Sequence, residues 1–561
     1  MLFGGGFLVG CSQSSRIRER KLPGQRIYYV PPRLVGHIQD WSGLESRNQD
    51  SWLLNHAADL KFNGIWFSPM TEATGVEKTM HGKLLTGSYY AIKDHFALDA
   101  DSSCGDAEKD REHLKHFAKL AKEKGITLYA DLVFNHIAAD HPLVAEEDKA
   151  IAEIRKKAHG SLTLLRGHKN KLIGVSWQEN GQEQKFHFKF RRNDDLKLQF
   201  GGPPEDPWTD AAQVNYSSPE GRRFFVEGDD THKGYFKQVI DWHIDNGFTG
   251  FRCDAAYLIP PESWEELIAY TKAKQPGAVF MAETLCQDLP KVERMAEAVI
   301  ADEQGKPRPA FDLGMLGFYW WNLKDDWLPT GENPRIQKMS KYGGAGSPDT
   351  HDTEMTVAGG MRKAFNHAAR ASQIIAEVSV REYAVAVLGA NSSYVQMGYE
   401  FCNEKQNSVF RGQVTQQDWN DLVKNAKGKV SDISDQMRAI NALKENLHVE
   451  NCRVNIREHH PVQDGKLIKI RCEYIDVDTN KKTAEVVMLV NQKPEHGDVK
   501  LTDTGLIQNL EKSGLERMQP GAAVAAGAPV IHDVMIFHTP LAKAPATPAA
   551  ANDRKPPKLA A

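Results

Sequence analysis

Three acidic residues carry the first question that the sequence raises. They are Asp254 in "GFRCDAA", Glu283 in "VFMAET" and Asp352 in "SPDTHDTE". Asp254 and Glu283 each follow a short apolar run, where a charge is costly unless it is paired or employed. Arg252 stands two positions before Asp254, so on an extended strand the two side chains share one face. That arrangement keeps Asp254 ionised and aimed. Partial burial of Glu283 would raise its pKa, as a general acid requires. A nucleophilic carboxylate beside an acid/base carboxyl, ~5–5.5 Å apart, is the equipment for cleaving a glycosidic bond with retention. The alternative for Arg252 and Asp254, a purely structural buried ion pair, leaves Glu283 and Asp352 without a role.

These side chains need a frame that brings them together. A helix, a glycine turn and an apolar strand recur five times, with strands expected at 65–68, 127–134, after Gly247 and ending at Asp254, at 279–282 and at 394–397. The run 26–30 reads as a further strand, stopped by Pro31 and Pro32. Such recurrence means parallel βαβ units. Asn135, His136, Arg252, Asp254, Glu283 and Glu400 fall at the C-terminal strand ends, where a (β/α)8 barrel carries its active site. The 29 positions between Asp254 and Glu283 are one such unit, which puts them on consecutive strands. A doubly wound sheet would call for a glycine-rich phosphate turn, and the sequence has no G-x-G-x-x-G or Walker pattern. The expected fold is an α/β (β/α)8 TIM barrel with an inserted subdomain after strand 3 and a C-terminal antiparallel β-domain. The boundaries follow composition: a flexible segment at 1–25, barrel at 26–137, insertion at 138–215, barrel again at 216–430, β-domain at 431–540 and a disordered Ala/Pro-rich tail at 541–561.

In order and spacing, the motifs "SYYAIKDHF", "DLVFNH", "GFRCDAA", "FMAET", "THD" and "MGYEF" resemble the α-amylase family (glycoside hydrolase family 13) over residues 26–430. The resemblance implies that Asp254 is the nucleophile, Glu283 the acid/base and Asp352 the transition-state stabiliser. Asp349, in the same short stretch, is the alternative for the third acid. It further implies a substrate-binding set of Arg252, His136, His351, Tyr90 and Asn135, with Tyr90 as a sugar platform. Tyr257 and Leu258 stand where many relatives carry lysine and histidine. That departure speaks against ordinary endo-cleavage of long starch and removes a backbone site used for structural calcium. No cofactor is required, and a structural calcium at Asn135 is the remaining alternative. "YLIPPESWEELI" and "MGYEFCNE" resemble the α-1,4-glucan:maltose-1-phosphate maltosyltransferase branch in particular. The implied function is an enzyme acting on α-glucosidic bonds by retaining double displacement, either hydrolase or transglycosylase. A catalytically inactive carbohydrate-binding or scaffold protein of the same fold is the alternative from another class.

Bulk properties suit a neutral polymer or small molecule, in line with the α-glucan or oligosaccharide partner that the resemblance implies. Lysine plus arginine (70) nearly balances aspartate plus glutamate (74), giving a net charge of −4 and no basic field for nucleic acid. No stretch has the ~20 apolar residues that a membrane span requires. The seven cysteines lie far apart without a C-x-x-C, which suits a reducing cytoplasm. Leu8-Val9-Gly10-Cys11 resembles a lipoprotein cleavage box, so lipid anchoring through Cys11 is the alternative localisation. The apolar run there is short, however, and no Lys or Arg precedes it.

Overall fold

The structure is a computed structural model that describes residues 21–541, apart from residues 23, 81–82, 159–160, 168–169, 171, 193–208, 287, 354, 367–369, 494–498, 502–503, 519–529 and 532–533. The Cys11 box and residues 542–561 of the expected tail lie outside the described residues.

Eight strands close a barrel: β1 Arg26–Val30, β2 Gly64–Phe67, β3 Thr127–Leu132, β4 Gly250–Cys253, β5 Val279–Ala282, β6 Leu313–Leu316, β7 Gly344–Gly346 and β8 Ser392–Gln396. All neighbouring pairs are parallel. Helices connect them: α1 Trp52–Asp59, α2 Ala107–Glu123, α3 Tyr235–Asp245, α4 Pro261–Lys274, α5 Leu289–Arg294, α6 Asn333–Met339 and α7 Ala371–Leu388, with α8 Ser434–Asn446 after the last strand. Local chemistry sets several of these ends. Asp106 caps α2 by accepting from the Glu108 and Lys109 N–H groups, and Gly125, at φ 71°, turns the chain toward β3.

The strand residues sort by period 2. Ile27, Tyr29, Trp66, Tyr129, Met281, Met315 and Tyr394 fill the barrel interior. Phe251 and Cys253 pack outward against the helices, which leaves Arg252 and Asp254 on the inner, catalytic side. The strand expected over 127–134 stops at Leu132, so Asn135 and His136 sit in the connection beyond it and in the short strand His136–Ala138.

After β3 the chain leaves the barrel. It forms the helix Pro142–Lys157 and an antiparallel sheet of Thr163–Arg166, Leu172–Glu179 and Gln182–His187, with a small core of its own around Ile151, Ile154, Val175 and Phe188. It returns through Ala211–Gln213, which pairs with His136–Ala138. Past β8, residues 434–446 form α8 and pack on α7. The antiparallel sheet follows, with Cys452–Val462, Leu467–Asp476, Lys482–Asn491, Val534–His538 and Glu516–Arg517 side by side. Among the described residues, no helix is long and apolar enough to cross a membrane.

Candidate active site

The inward alternation of β4 places Arg252 in the barrel mouth, fully buried. A guanidinium so desolvated requires anionic partners, and it has three. Its Nη1 donates to Asp131 Oδ1 and Oδ2 at 3.0 and 3.2 Å and to Asp254 Oδ1 at 2.5 Å. Its Nη2 donates to Glu283 Oε2 at 2.8 Å. The carboxyls of β4 and β5 are therefore gripped by adjacent nitrogens of one rigid fork. Both line a cavity of 540 Å³ together with Tyr90, His136, His351 and Asp352.

Glu283 Oε2 also accepts from the Ala255 backbone N–H at 2.7 Å. With two donors on Oε2, an acid proton belongs on Oε1. Burial raises the Glu283 pKa well above the usual carboxylate range, with Arg252 pulling it down and Asp254 and Asp352 adding to the rise. Asp131 receives donors from Arg252, from Tyr90 Oη at 3.0 Å and from Trp66 Nε1 at 3.2 Å. Burial pushes the Asp131 pKa up to about 7, and the donors on its oxygens favour the charged form beneath the guanidinium.

Tyr90 Oη has one hydrogen, which goes to Asp131. His351 Nε2, 2.9 Å from the same oxygen, must then be the N–H donor. Nε2 lies 3.3 Å from Asp352 Oδ2 as well, and burial lowers the His351 pKa. The imidazole stacks between Tyr90 and Tyr29, with ring centroids at 5.4 and 5.0 Å. The two candidates for the third acid differ in placement. The Asp352 side chain is 54% exposed toward the cavity, whereas Asp349 is buried and bonded to Gln396 Nε2 and the Val357 N–H.

Two residues of the expected substrate-binding set stand behind the cavity. Arg252 touches carboxyls and is sealed from solvent. Asn135 is buried, donates toward His136 Nδ1 at 3.3 Å and accepts from Gln213 Nε2 at 3.0 Å. This fixes the His136 tautomer with its proton on Nε2. The Asn135 oxygen, the ligand expected for a structural calcium, accepts from Gln213 here. Glu400 is structural, buried between Tyr28 Oη at 2.6 Å and His56 Nε2 at 2.8 Å. Trp320 and Trp327 are partly exposed and Trp321 is buried, and none of them lines the cavity. Trp66 and Tyr29, on inward positions of β2 and β1, support Asp131 and His351. Asp210 lines the cavity from the returning end of the insertion, where no motif marked it.

Residues 40–306 match the family model of the alpha amylase catalytic domain. A cyclomaltodextrinase from a Bacillus species is 24% identical over 230 residues, covering 41% of this chain and 32% of that protein, so the match spans about a third of the relative's length. The fold is shared with solved structures at low identity. An α-amylase from Geobacillus thermoleovorans complexed with acarbose gives a TM-score of 0.55 at 14% identity, covering 93% of this chain and 99% of that one. A noncanonic maltogenic α-amylase from Thermotoga neapolitana gives 0.53 at 16%, covering 85% and 87%. The cyclic α-maltosyl-(1→6)-maltose hydrolase of Arthrobacter globiformis gives 0.52 at 14%, covering 92% and 98%.

Proposed function

Residues 40–306 belong to the α-amylase family of glycoside hydrolases, and from that premise we propose that this chain acts on α-glucosidic bonds of an α-glucan or oligosaccharide by retaining double displacement. The observation that carries the proposal is the shared grip of Arg252 on Asp254 and Glu283 at the wall of one cavity. Asp254 Oδ1 is held by the guanidinium, which leaves Oδ2 to attack the anomeric carbon. Glu283 protonates the leaving oxygen from Oε1 as the glycosyl–Asp254 bond forms. It then takes a proton from water, or from a second sugar's hydroxyl, as that bond breaks. Asp352 grips ring hydroxyls and steadies the developing positive charge, beside the His351 ring whose Nε2–H is held on Tyr90. Arg252, Asp131 and Asn135 act as positioning residues. The six described cysteines are all unpaired, which supports a reducing, cytoplasmic setting.

Proton NMR of the first products from maltooligosaccharides tests the mechanism. The expected product is the α-anomer, and a β-anomer would refute retention. Asp254→Asn should lose at least about 10⁴-fold in kcat. Glu283→Ala should recover turnover of an aryl α-glucoside when azide is added, forming the α-glycosyl azide. A wild type inert on every α-glucoside would favour the scaffold alternative.

A further inference from the structure

Two loops close the cavity on the side away from Glu283. One follows β2 and includes residues 84–91, and the other follows β8 and includes 403–412. In the closed barrel β8, β1 and β2 are neighbours, and β1 lies opposite β5. Loops from β8 and β2 that meet over β1 therefore stand across the rim from the acid/base carboxyl.

They meet as one unit. Tyr89 N donates to Val409 O, and Arg411 N donates to Thr86 O, both at 3.0 Å. The Arg411 guanidinium reaches Asp101 at 2.8 Å and the buried Asp99 at 2.9 Å. Arg33 completes the latch: it pairs with Asp101 at 3.0 Å, donates to Gly87 O at 3.0 Å and lies 3.3 Å over the Tyr89 ring. Gly87, at φ 63°, is packed so closely on this latch that a Cβ would fall 2.8 Å from Arg411 Nε. The cavity side of this wall is Leu85, Ser88, Ser408, Val409 and Phe410.

We propose that this wall makes the cavity blind-ended beyond its glycosyl subsites, so that the enzyme takes the non-reducing end of an α-glucan and removes a short unit of fixed length. This rests on the α-glucan reading above. The leaving oxygen must face Glu283, so the glycosyl part of a bound chain runs from Asp254 past Tyr90 toward the wall. A chain continuing in that direction meets Val409 and Phe410, which are held by the backbone bond from Tyr89 and by the adjoining ion-pair cluster built on buried Asp99 and Arg33. The volume of 540 Å³ is that of a site for a short ligand, within the ~300–1,000 Å³ of small-molecule clefts.

The test uses the full chain with p-nitrophenyl maltoheptaoside, either free or carrying a 4,6-ethylidene block at its non-reducing end, with products followed by mass spectrometry. The wild type should cleave the blocked substrate about 100-fold more slowly or worse, and release one short product length from the free one. Arg411→Ala unlatches the loops, and Phe410→Ala lowers the wall with the latch intact. Each should raise the blocked-to-free rate ratio by about tenfold or more. Equal wild-type rates on both substrates, or a ratio unmoved in both variants, would overturn the blind end. No cleavage of either substrate would overturn the α-glucan reading itself, and the blind end with it.

Discussion

At the scale of single residues, the site is an excess of acid arranged around one cation. Asp131, Asp254 and Glu283 share Arg252, so full ionisation leaves uncompensated negative charge in a buried place. The excess is relieved where a proton is useful, on Glu283, whose pKa burial raises. Activity requires protonated Glu283, so kcat/KM should fall as pH rises through this raised value, giving an alkaline limb above the ordinary carboxylate range; a limb near the ordinary glutamate value of ~4.3 would contradict the assignment. Stability carries the same sign. A carboxyl with a raised folded pKa contributes fully below its unfolded value, and that contribution is lost as pH rises through the folded one. Glu283→Gln should therefore lose turnover yet gain thermal stability over the wild type, by about 1–3 kcal/mol, with the margin growing as pH rises through the wild-type limb. Thermal unfolding of both proteins across that range decides it, and a margin independent of pH would count against the raised pKa.

At the scale of elements, β4 and β5 were legible because each joins a helix with glycine or Pro-Gly punctuation to an apolar strand ending in an acid. β6 and β7 were not. β6 follows only the short α5 and a hairpin of Val299–Ala301 with Pro307–Pro309, so the recurring pattern is broken. β7 is Gly344-Ala345-Gly346, which has no apolar alternation to read. Its glycines exist for the neighbours: a Cβ at Gly344 would fall 2.1 Å from Leu316 Cδ1, and one at Gly346 2.9 Å from the Phe318 ring. The supports Trp66 and Tyr29 were hidden for a related reason, since an inward aromatic on a barrel strand looks the same whether it fills space or holds a carboxylate. The turn after β4 carries a further cost. Ala255 is left-handed at φ 42°, a conformation disfavoured for a residue with a Cβ, and it aims its N–H at Glu283. Ala255→Gly should raise stability by about 1 kcal/mol with activity kept, whereas Ala255→Val should lose both. Denaturant midpoints alongside kcat/KM separate these outcomes, and a Gly variant less stable than wild type would show that the left-handed turn is not strained.

At the scale of the whole molecule, the barrel and the C-terminal sheet are joined by polar side chains serving backbone carbonyls. Asn333 Nδ2 and Gln337 Nε2 of α6 donate to Val454 O at 3.0 and 2.9 Å, and Arg453 Nε donates back to Lys341 O at 3.0 Å. The deepest of these joints is Lys444. On an amphipathic helix its sequence context reads as a solvated lysine, yet it is buried. Its Nζ donates to Ala390 O and to Val387 O at 3.1 Å and lies 3.3 Å from Tyr474 Oη, while Tyr474 Oη donates to Leu388 O at 2.8 Å. Burial lowers the Lys444 pKa to about 7, against ~10.4 in an unfolded chain. Between those values the unfolded chain binds the extra proton, so this group makes stability rise with pH across the window and contributes no slope below it. Lys444→Met keeps the length of the stem but leaves the Val387 and Ala390 carbonyls without their donor, at a cost of about 1–3 kcal/mol for each buried group left unpaired. Urea unfolding at pH 7, 8 and 9 should show the wild type gaining stability with pH, and the Met variant starting lower at pH 9 without that gain. Parallel pH profiles for the two proteins would mean that Lys444 keeps its proton through folding, and that the joint is a charged clamp rather than a neutral one.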